Sequence, residues 1–62
     1  MKFKMVIFTN GERYMIDDLT REEVDFIIYG MKSNTWVDFS KGNTEYHFRS
    51  FSISFLSVEA EA

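Results

Sequence analysis

Two runs rich in apolar residues, Phe3 to Phe8 and Tyr14 to Ile16, flank the polar stretch Thr9-Asn10-Gly11-Glu12-Arg13. That is the pattern of two short strands joined by a tight turn. Asn10-Gly11 suits a type I′ turn, which demands φ > 0 at both central positions. Folding there sets Thr9 opposite Glu12, Ile7 opposite Tyr14 and Met5 opposite Ile16, which with Phe3 form one apolar face. The reverse face carries Phe8 opposite Arg13, Val6 opposite Met15 and Lys4 opposite Asp17. The last is an opposite-charge pair that supports the register.

The stretch Asp17 to Lys32 has the period of a helix. Thr20 with Glu23 three residues on is a capping box, and Leu19 with Val24 makes a hydrophobic staple. Asp17, Asp18, Glu22, Glu23 and Asp25 crowd the helix start, where the backbone dipole favours negative charge. Val24, Ile27, Ile28 and Met31 form the core stripe, and Gly30 and Lys32 mark the helix end. Phe26 and Tyr29 project from the other side, roughly 140–200° from Val24 at about 100° per residue.

The stretch Asn34 to Arg49 reads as a second hairpin, turning about Lys41-Gly42 or through a wider loop from Ser40 to Asn43. Phe39 then faces Thr44, Val37 faces Tyr46 and Thr35 faces Phe48. The reverse face has Asp38 by Glu45, Trp36 by His47 and Asn34 by Arg49, and the like-charged Asp38–Glu45 pair counts against this register. Apolar positions are even at Tyr46 and Phe48 but odd from Phe51. A tight turn at Arg49-Ser50 is the favoured cause, placing Phe48 opposite Phe51 and Tyr46 opposite Ile53. The alternative is a bulge giving one long bent strand. The phase blurs at Leu56 and Val58, and residues 59–62 read as a frayed tail. The expected fold is one α+β domain over residues 1–62, ordered β-β-α-β-β-β. A small antiparallel sheet carries one helix, and a curled, barrel-like sheet is an alternative that would use both faces.

A chain of 62 residues buries only about 60% of the surface that its unfolded form exposes, so it is marginal alone. Disulfides and thiolate metal sites are excluded, because the sequence has no Cys, and its single His makes a structural zinc site a poor fit. Oligomerisation is the remaining aid. The chain is 18% aromatic, with seven Phe. Phe3, Tyr14, Phe39, Tyr46, Phe48, Phe51 and Phe55 can fill one core. Phe8, Phe26, Tyr29 and Trp36 are then left over as candidate contact residues.

Net charge is −3 and the isoelectric point about 4.9, which argues against non-specific binding to phosphates. Trp36, His47 and Arg49 nonetheless make a candidate stacking platform for single-stranded nucleic acid. Asp17, Asp18, Glu22, Glu23 and Asp25 are a candidate acidic surface imitating DNA phosphates, to be weighed against an ordinary solvated helix start. His47 beside Glu45 has the look of a general base, but no Ser sits in a nucleophile elbow and no Gly-rich phosphate loop is present. No catalytic, cofactor or metal residues are expected. No apolar run approaches a membrane span of roughly 18 residues, and Phe3 to Phe8 is too short for the apolar stretch of a signal peptide. The expected setting is cytoplasmic.

With "FTNGERYMID", "WVDFSKGNTEYHF" and the acidic tail, the whole chain resembles small uncharacterised proteins encoded by phages and prophages of Gram-positive bacteria. The resemblance implies an oligomeric protein of a kind that in some cases binds and inhibits host factors, and it carries over no functional residue. The resulting expectation is a non-enzymatic module that self-associates, with a dimer favoured, and that binds a protein partner. The alternatives are the nucleic-acid module and the acidic mimic.

Overall fold

The computed structural model describes residues 1–33 and 35–61. Strands β1 (Phe3–Thr9) and β2 (Glu12–Leu19) form the first hairpin. Asn10 and Gly11 have φ of 52° and 79°, the left-handed pair that a type I′ turn requires. The register runs from Thr9 opposite Glu12 to Met5 opposite Ile16 and then slips, so that Phe3 faces Leu19. Asp18, at φ 60°, lies within the slip. The extra residue reverses the alternation: Leu19, an odd position that would have faced out, joins Ile16 in the core, both at most 1% exposed. Asp17 and Asp18 therefore belong to a strand and not to the helix start. The expected Lys4–Asp17 pair does not form. Lys4 faces Glu59 instead, with its Nζ 3.7 Å from the Glu59 carboxylate.

Helix α1 spans Arg21–Ser33. The Thr20 N–H donates to Glu23 Oε1 at 2.8 Å, and the Glu23 N–H donates to Thr20 Oγ1 at 3.2 Å. This is the complete capping box. Val24 and Ile27 are fully buried, and Ile28 and Met31 pack on them from the margin. Gly30 has a role other than ending the helix, which runs three residues further. A Cβ there would lie 3.5 Å from Val37 Cγ2, so the glycine lets the helix sit close to the second hairpin.

That hairpin is β3 (Trp36–Lys41) and β4 (Thr44–Arg49). The turn is at Gly42-Asn43, one residue beyond Lys41-Gly42, and Lys41 faces Thr44. Gly42 at φ 62° supplies the left-handed first loop residue that Lys41 would resist. The pairing is thus two residues away from the expected one: Val37 faces Phe48, Phe39 faces Tyr46, Asp38 faces His47 and Trp36 faces Arg49. An even shift leaves every side chain on its expected face and removes the unfavourable Asp38–Glu45 pair. The expected Asn34–Arg49 pairing lies outside the described residues.

A 3₁₀ turn at Ser50–Ser52 separates β4 from β5 (Ile53–Ala60), so residues 44–58 are two strands, not one bent strand. Strand β5 does not fold back on β4, and the expected Phe48–Phe51 and Tyr46–Ile53 pairs are absent. It crosses to β1 and pairs antiparallel with it. The expected single sheet is therefore two: three strands in the order β2-β1-β5, and the separate β3-β4 ribbon. Among the described residues they do not join into a closed barrel. A second slip, between Phe8 and Thr9, leaves Ser54 as the extra residue of β5. It accounts for the blurred phase, because Ile53 points inward before it and Leu56 and Val58 after it. The expected fraying is not seen at Glu59 to Glu61. Glu59 and Ala60 are in β5, and the Glu61 N–H donates to the Lys2 carbonyl at 2.8 Å. Ala62 lies outside the described residues.

The helix packs between the sheets, and the core it closes is aliphatic: Met5, Ile7, Ile16, Leu19, Val24, Ile27 and Val37. Phe3, Phe39, Tyr46 and Phe48 ring it, half-buried. Three aromatics expected inside are outside. Tyr14 is 44% exposed, Phe55 56% and Phe51 71%. Phe55 is turned out by the Ser54 bulge, and Phe51 lies in the 3₁₀ turn.

Gly30→Ala tests the close approach of helix and ribbon. Its Cβ would be in ordinary contact distance of Val37, and Ala gains about 1 kcal/mol over Gly inside a helix. The variant should melt several degrees higher by circular dichroism. A lower melting temperature would show that helix and ribbon are closer than described.

Candidate functional site

The four leftover aromatics do not form one patch. Trp36, 48% exposed, lies on the outer face of β3, where the Arg49 guanidinium stands 5.1 Å from its ring centre and 5.7 Å from that of Phe51. Phe26 leans from the helix against Phe39 at 6.3 Å, and Phe39 stacks on Tyr46 at 6.3 Å and 29°. This makes an aromatic row from helix to β4. Tyr29 is exposed on the helix. Phe8 is half-buried on the outer face of the three-stranded sheet, edge-on to Phe55 at 5.6 Å.

What the sequence did not disclose is a cleft of about 580 Å³ between the two sheets. Its floor is Ile7 and Thr9 of β1 with Tyr14 and Ile16 of β2. These are alternate residues, so the floor is a sheet seen face-on. Its wall is Glu45, Tyr46, His47, Phe48 and Arg49, five consecutive residues of β4. Consecutive residues on one wall mean a strand seen from its edge, and among the described residues β4 pairs with β3 alone. Trp36, Phe51 and Ser52 line one end. A polar latch holds that end to the floor: Thr9 Oγ1 lies 3.1 Å from the Ser52 carbonyl and 2.9 Å from Ser52 Oγ, and Ser52 Oγ donates to the Arg49 carbonyl at 2.9 Å.

His47 is on the outer face of β4, beside Asp38 and not beside Trp36. Its Nδ1 is 2.7 Å from Asp38 Oδ1 and its Nε2 is 3.1 Å from Glu45 Oε1. Two carboxylates favour the imidazolium, so the pKa is raised, first by the Asp38 hydrogen bond and then by that of Glu45. A ring whose two nitrogens both meet carboxylates is poorly placed to take a substrate's proton. Trp36, His47 and Arg49 do share a face, but Asp38 and Glu45 sit among them. A base could stack there, while the carboxylates would repel its phosphates.

The acidic cluster is divided between two elements. Asp17 and Asp18 are in β2, and Glu22, Glu23 and Asp25 are in the helix. Asp18 is 3.7 Å from Lys2, and Asp25 is 3.3 Å from Arg21. Glu23 serves the capping box and meets Lys41 Nζ at 2.9 Å. The cap and Lys41 both hold its carboxyl below the usual range, the cap most strongly. Among the described residues, no group of three or more His, Asp or Glu is placed to hold a metal ion. Nor, among them, is any helix long and apolar enough to cross a membrane.

Because His47 has a raised pKa in the folded state, its contribution to stability is fully present below the unfolded value of about 6.5 and is lost as pH rises through the folded value. An NMR titration of its ring protons should show a midpoint above 6.5. Asp38→Asn should lower the midpoint more than Glu45→Gln does. A midpoint at the unperturbed value would show that the carboxylates do not hold the ring in solution. Comparison of the chain with known protein families, with curated proteins and with solved structures gave no match.

Proposed function

We propose that the chain is a non-enzymatic protein-interaction module that self-associates, and that the cleft between its sheets is the contact site. The observation that carries this reading is the combination of an open strand edge, β4, with the exposed aromatics Tyr14, Trp36 and Phe51 around the same cleft. A small-molecule pocket needs convergent polar side chains for orientation. Here His47 is already engaged with Asp38 and Glu45, and Arg49 lies over the Trp36 and Phe51 rings, while the backbone N–H and C=O groups on the open edge of β4 can bind extended peptide by adding a strand. Tyr14, 44% exposed, is the floor residue open to side chains from such a strand, since Ile7 and Ile16 beneath it are already buried in the core. Trp36 and Phe51 at one end add aromatic contact area, as is common where protein surfaces meet.

The size of the fold supports the same reading. Seven aliphatic side chains make the buried core, and among the described residues six aromatics are exposed: Tyr14, Phe26, Tyr29, Trp36, Phe51 and Phe55. Covering some of these by association would add the apolar burial that a domain of this length lacks. Stacking of single-stranded nucleic acid on Trp36 and Arg49 is the competing reading, and it predicts binding that weakens steeply with salt.

Light scattering on a sizing column across a dilution series should give a mass above 7.4 kDa that falls on dilution. Trp36→Ala should shift the fall to higher concentration and leave the far-ultraviolet circular dichroism unchanged, since Trp36 is half exposed. A 7.4 kDa species throughout would overturn self-association. So would a Trp36→Ala chain that unfolds with no change in association, because Trp36 would then be core. Single-stranded oligonucleotide at low salt should leave the mass unchanged.

A further inference from the structure

We infer that β4 pairs with β4 of a second copy, antiparallel and centred on His47, joining the two ribbons into one four-stranded sheet across the cleft. The inference rests on the self-association reading and names its partner and register. Lys41 and Thr44 flank a two-residue loop, so they form a hydrogen-bonded pair of the ladder, and pairs of that type alternate along the hairpin. Thr44, Tyr46 and Phe48 therefore spend their backbone groups on β3. The N–H and C=O groups of Glu45, His47 and Arg49 point to the open edge. Only registers that bring these three residues opposite one another satisfy both the hydrogen bonds and the faces of the sheet.

Centring on His47 uses all three. Glu45 meets the partner's Arg49, Arg49 meets the partner's Glu45, and the two His47 residues meet on the axis, each ring held between its own Asp38 and Glu45. On the inner face Tyr46 meets the partner's Phe48, extending the row that begins with Phe26 and Phe39. The Arg49 carbonyl already accepts from Ser52 Oγ, and a second lone pair remains for the new bond. Moving the centre to Phe48 would set His47 against the partner's Arg49. Moving it to Tyr46 would pair Glu45 with the partner's His47 and leave Arg49 against the turn.

The other sheet edges are less suited. Strand β2 has a comparable charge pattern at its open edge, with Arg13 and Asp17 equally spaced about Met15, but its slip falls at Asp17 and Asp18 and interrupts the edge where that pair would have to form. Strand β5 is broken by its own slip at Ser54, and Glu59 is its single charged residue. Strand β3 turns the backbone groups of Trp36, Asp38 and Ser40 to its outer edge, and these carry no pair of opposite charges to set against a second copy. Strand β4 pairs with β3 without a slip and carries opposite charges equally spaced about its centre. Regular, unblunted edges are the ones that accept another strand.

Two variants that fail alone and succeed together test the register. Glu45→Lys would place a lysine against the partner's Arg49, and Arg49→Glu would place a glutamate against the partner's Glu45. Each alone should lose the dimer mass at concentrations where the unaltered chain shows twice 7.4 kDa. An equimolar mixture of the two should regain it, because every cross-pair is then of opposite or compatible sign: in the mixed dimer one end pairs the new lysine with the new glutamate, and the other pairs the original Glu45 with the original Arg49. A defect of folding in either variant would not be cured by mixing. Two variants that remain dimers would overturn the β4 interface while self-association stands. An unaltered chain that is monomeric throughout would overturn both. A mixture that stays monomeric would overturn the register. Amide exchange on the unaltered chain gives a second readout. Glu45, His47 and Arg49 should gain protection with concentration while Thr44, Tyr46 and Phe48 stay protected on dilution. Protection at Glu45 and His47 that does not depend on concentration would also overturn the interface.

Discussion

Strand β5 can pair on one side with β1 or with β4, and the architecture follows from which of them takes it. Its apolar residues at Leu56 and Val58 need the floor on which Ile7 and Ile16 lie, and pairing with β1 puts them there. Strand β1 gains neighbours on both sides and becomes the centre of a three-stranded sheet. Three strands packed on a helix can be stable alone, whereas a bare two-stranded hairpin cannot. The cost falls on β4, which is left with one neighbour and an open edge. The cleft is thus a direct consequence of where the core finds its third strand.

Two bulges adapt the sequence to that arrangement. At Asp18 the alternation reverses so that Leu19 closes the core just before the helix cap, and an Asp tolerates the left-handed backbone better than most residues. At Ser54 the alternation of β5 reverses so that Leu56 and Val58 can replace Phe55 on the inner face. Phe55 is turned out to meet Phe8. Aliphatic side chains thereby fill the small space beneath the helix, and the larger rings are left around its margin and on the surface. An abundance of aromatics in a small chain need not mean an aromatic core.

The parts of the fold that are legible in the sequence are those fixed by neighbours in the chain. Asn10-Gly11 states a turn and its register, and Thr20 with Glu23 states a helix start to the residue. The order of elements and the aliphatic helix stripe follow from periodicity. The second hairpin is less legible because Lys41-Gly42 and Gly42-Asn43 are both acceptable turns on paper. Only the left-handed conformation of Gly42 at the first loop position decides between them. The partner of β5 is not legible at all, since it depends on contacts between the two ends of the chain, such as that of Phe8 with Phe55. With it goes the site, because an open edge is a property of what a strand fails to pair with. Trp36 is legible as an aromatic left outside the core, and it lies exposed at one end of the cleft. Tyr14 and Phe51 border the same cleft, yet their chemistry alone points to the core.

The distribution of charge bears on what such a surface can meet. The chain has ten acids against seven Lys and Arg, and a net −3 is unfavourable for approach to phosphates. The excess is concentrated where β2 ends and the helix begins, with Asp17, Asp18, Glu22, Glu23 and Asp25, and at Glu59 and Glu61. Strand β4 carries Glu45 and Arg49, which cancel, with His47 between them. Two copies approaching through β4 present to each other the part of the molecule where charges balance, while their acidic ends lie elsewhere. Their long-range repulsion is screened by salt over about 8 Å at physiological ionic strength. The proposed contact, made of backbone hydrogen bonds and cancelling charges, would therefore persist at salt concentrations that would remove a nucleic acid.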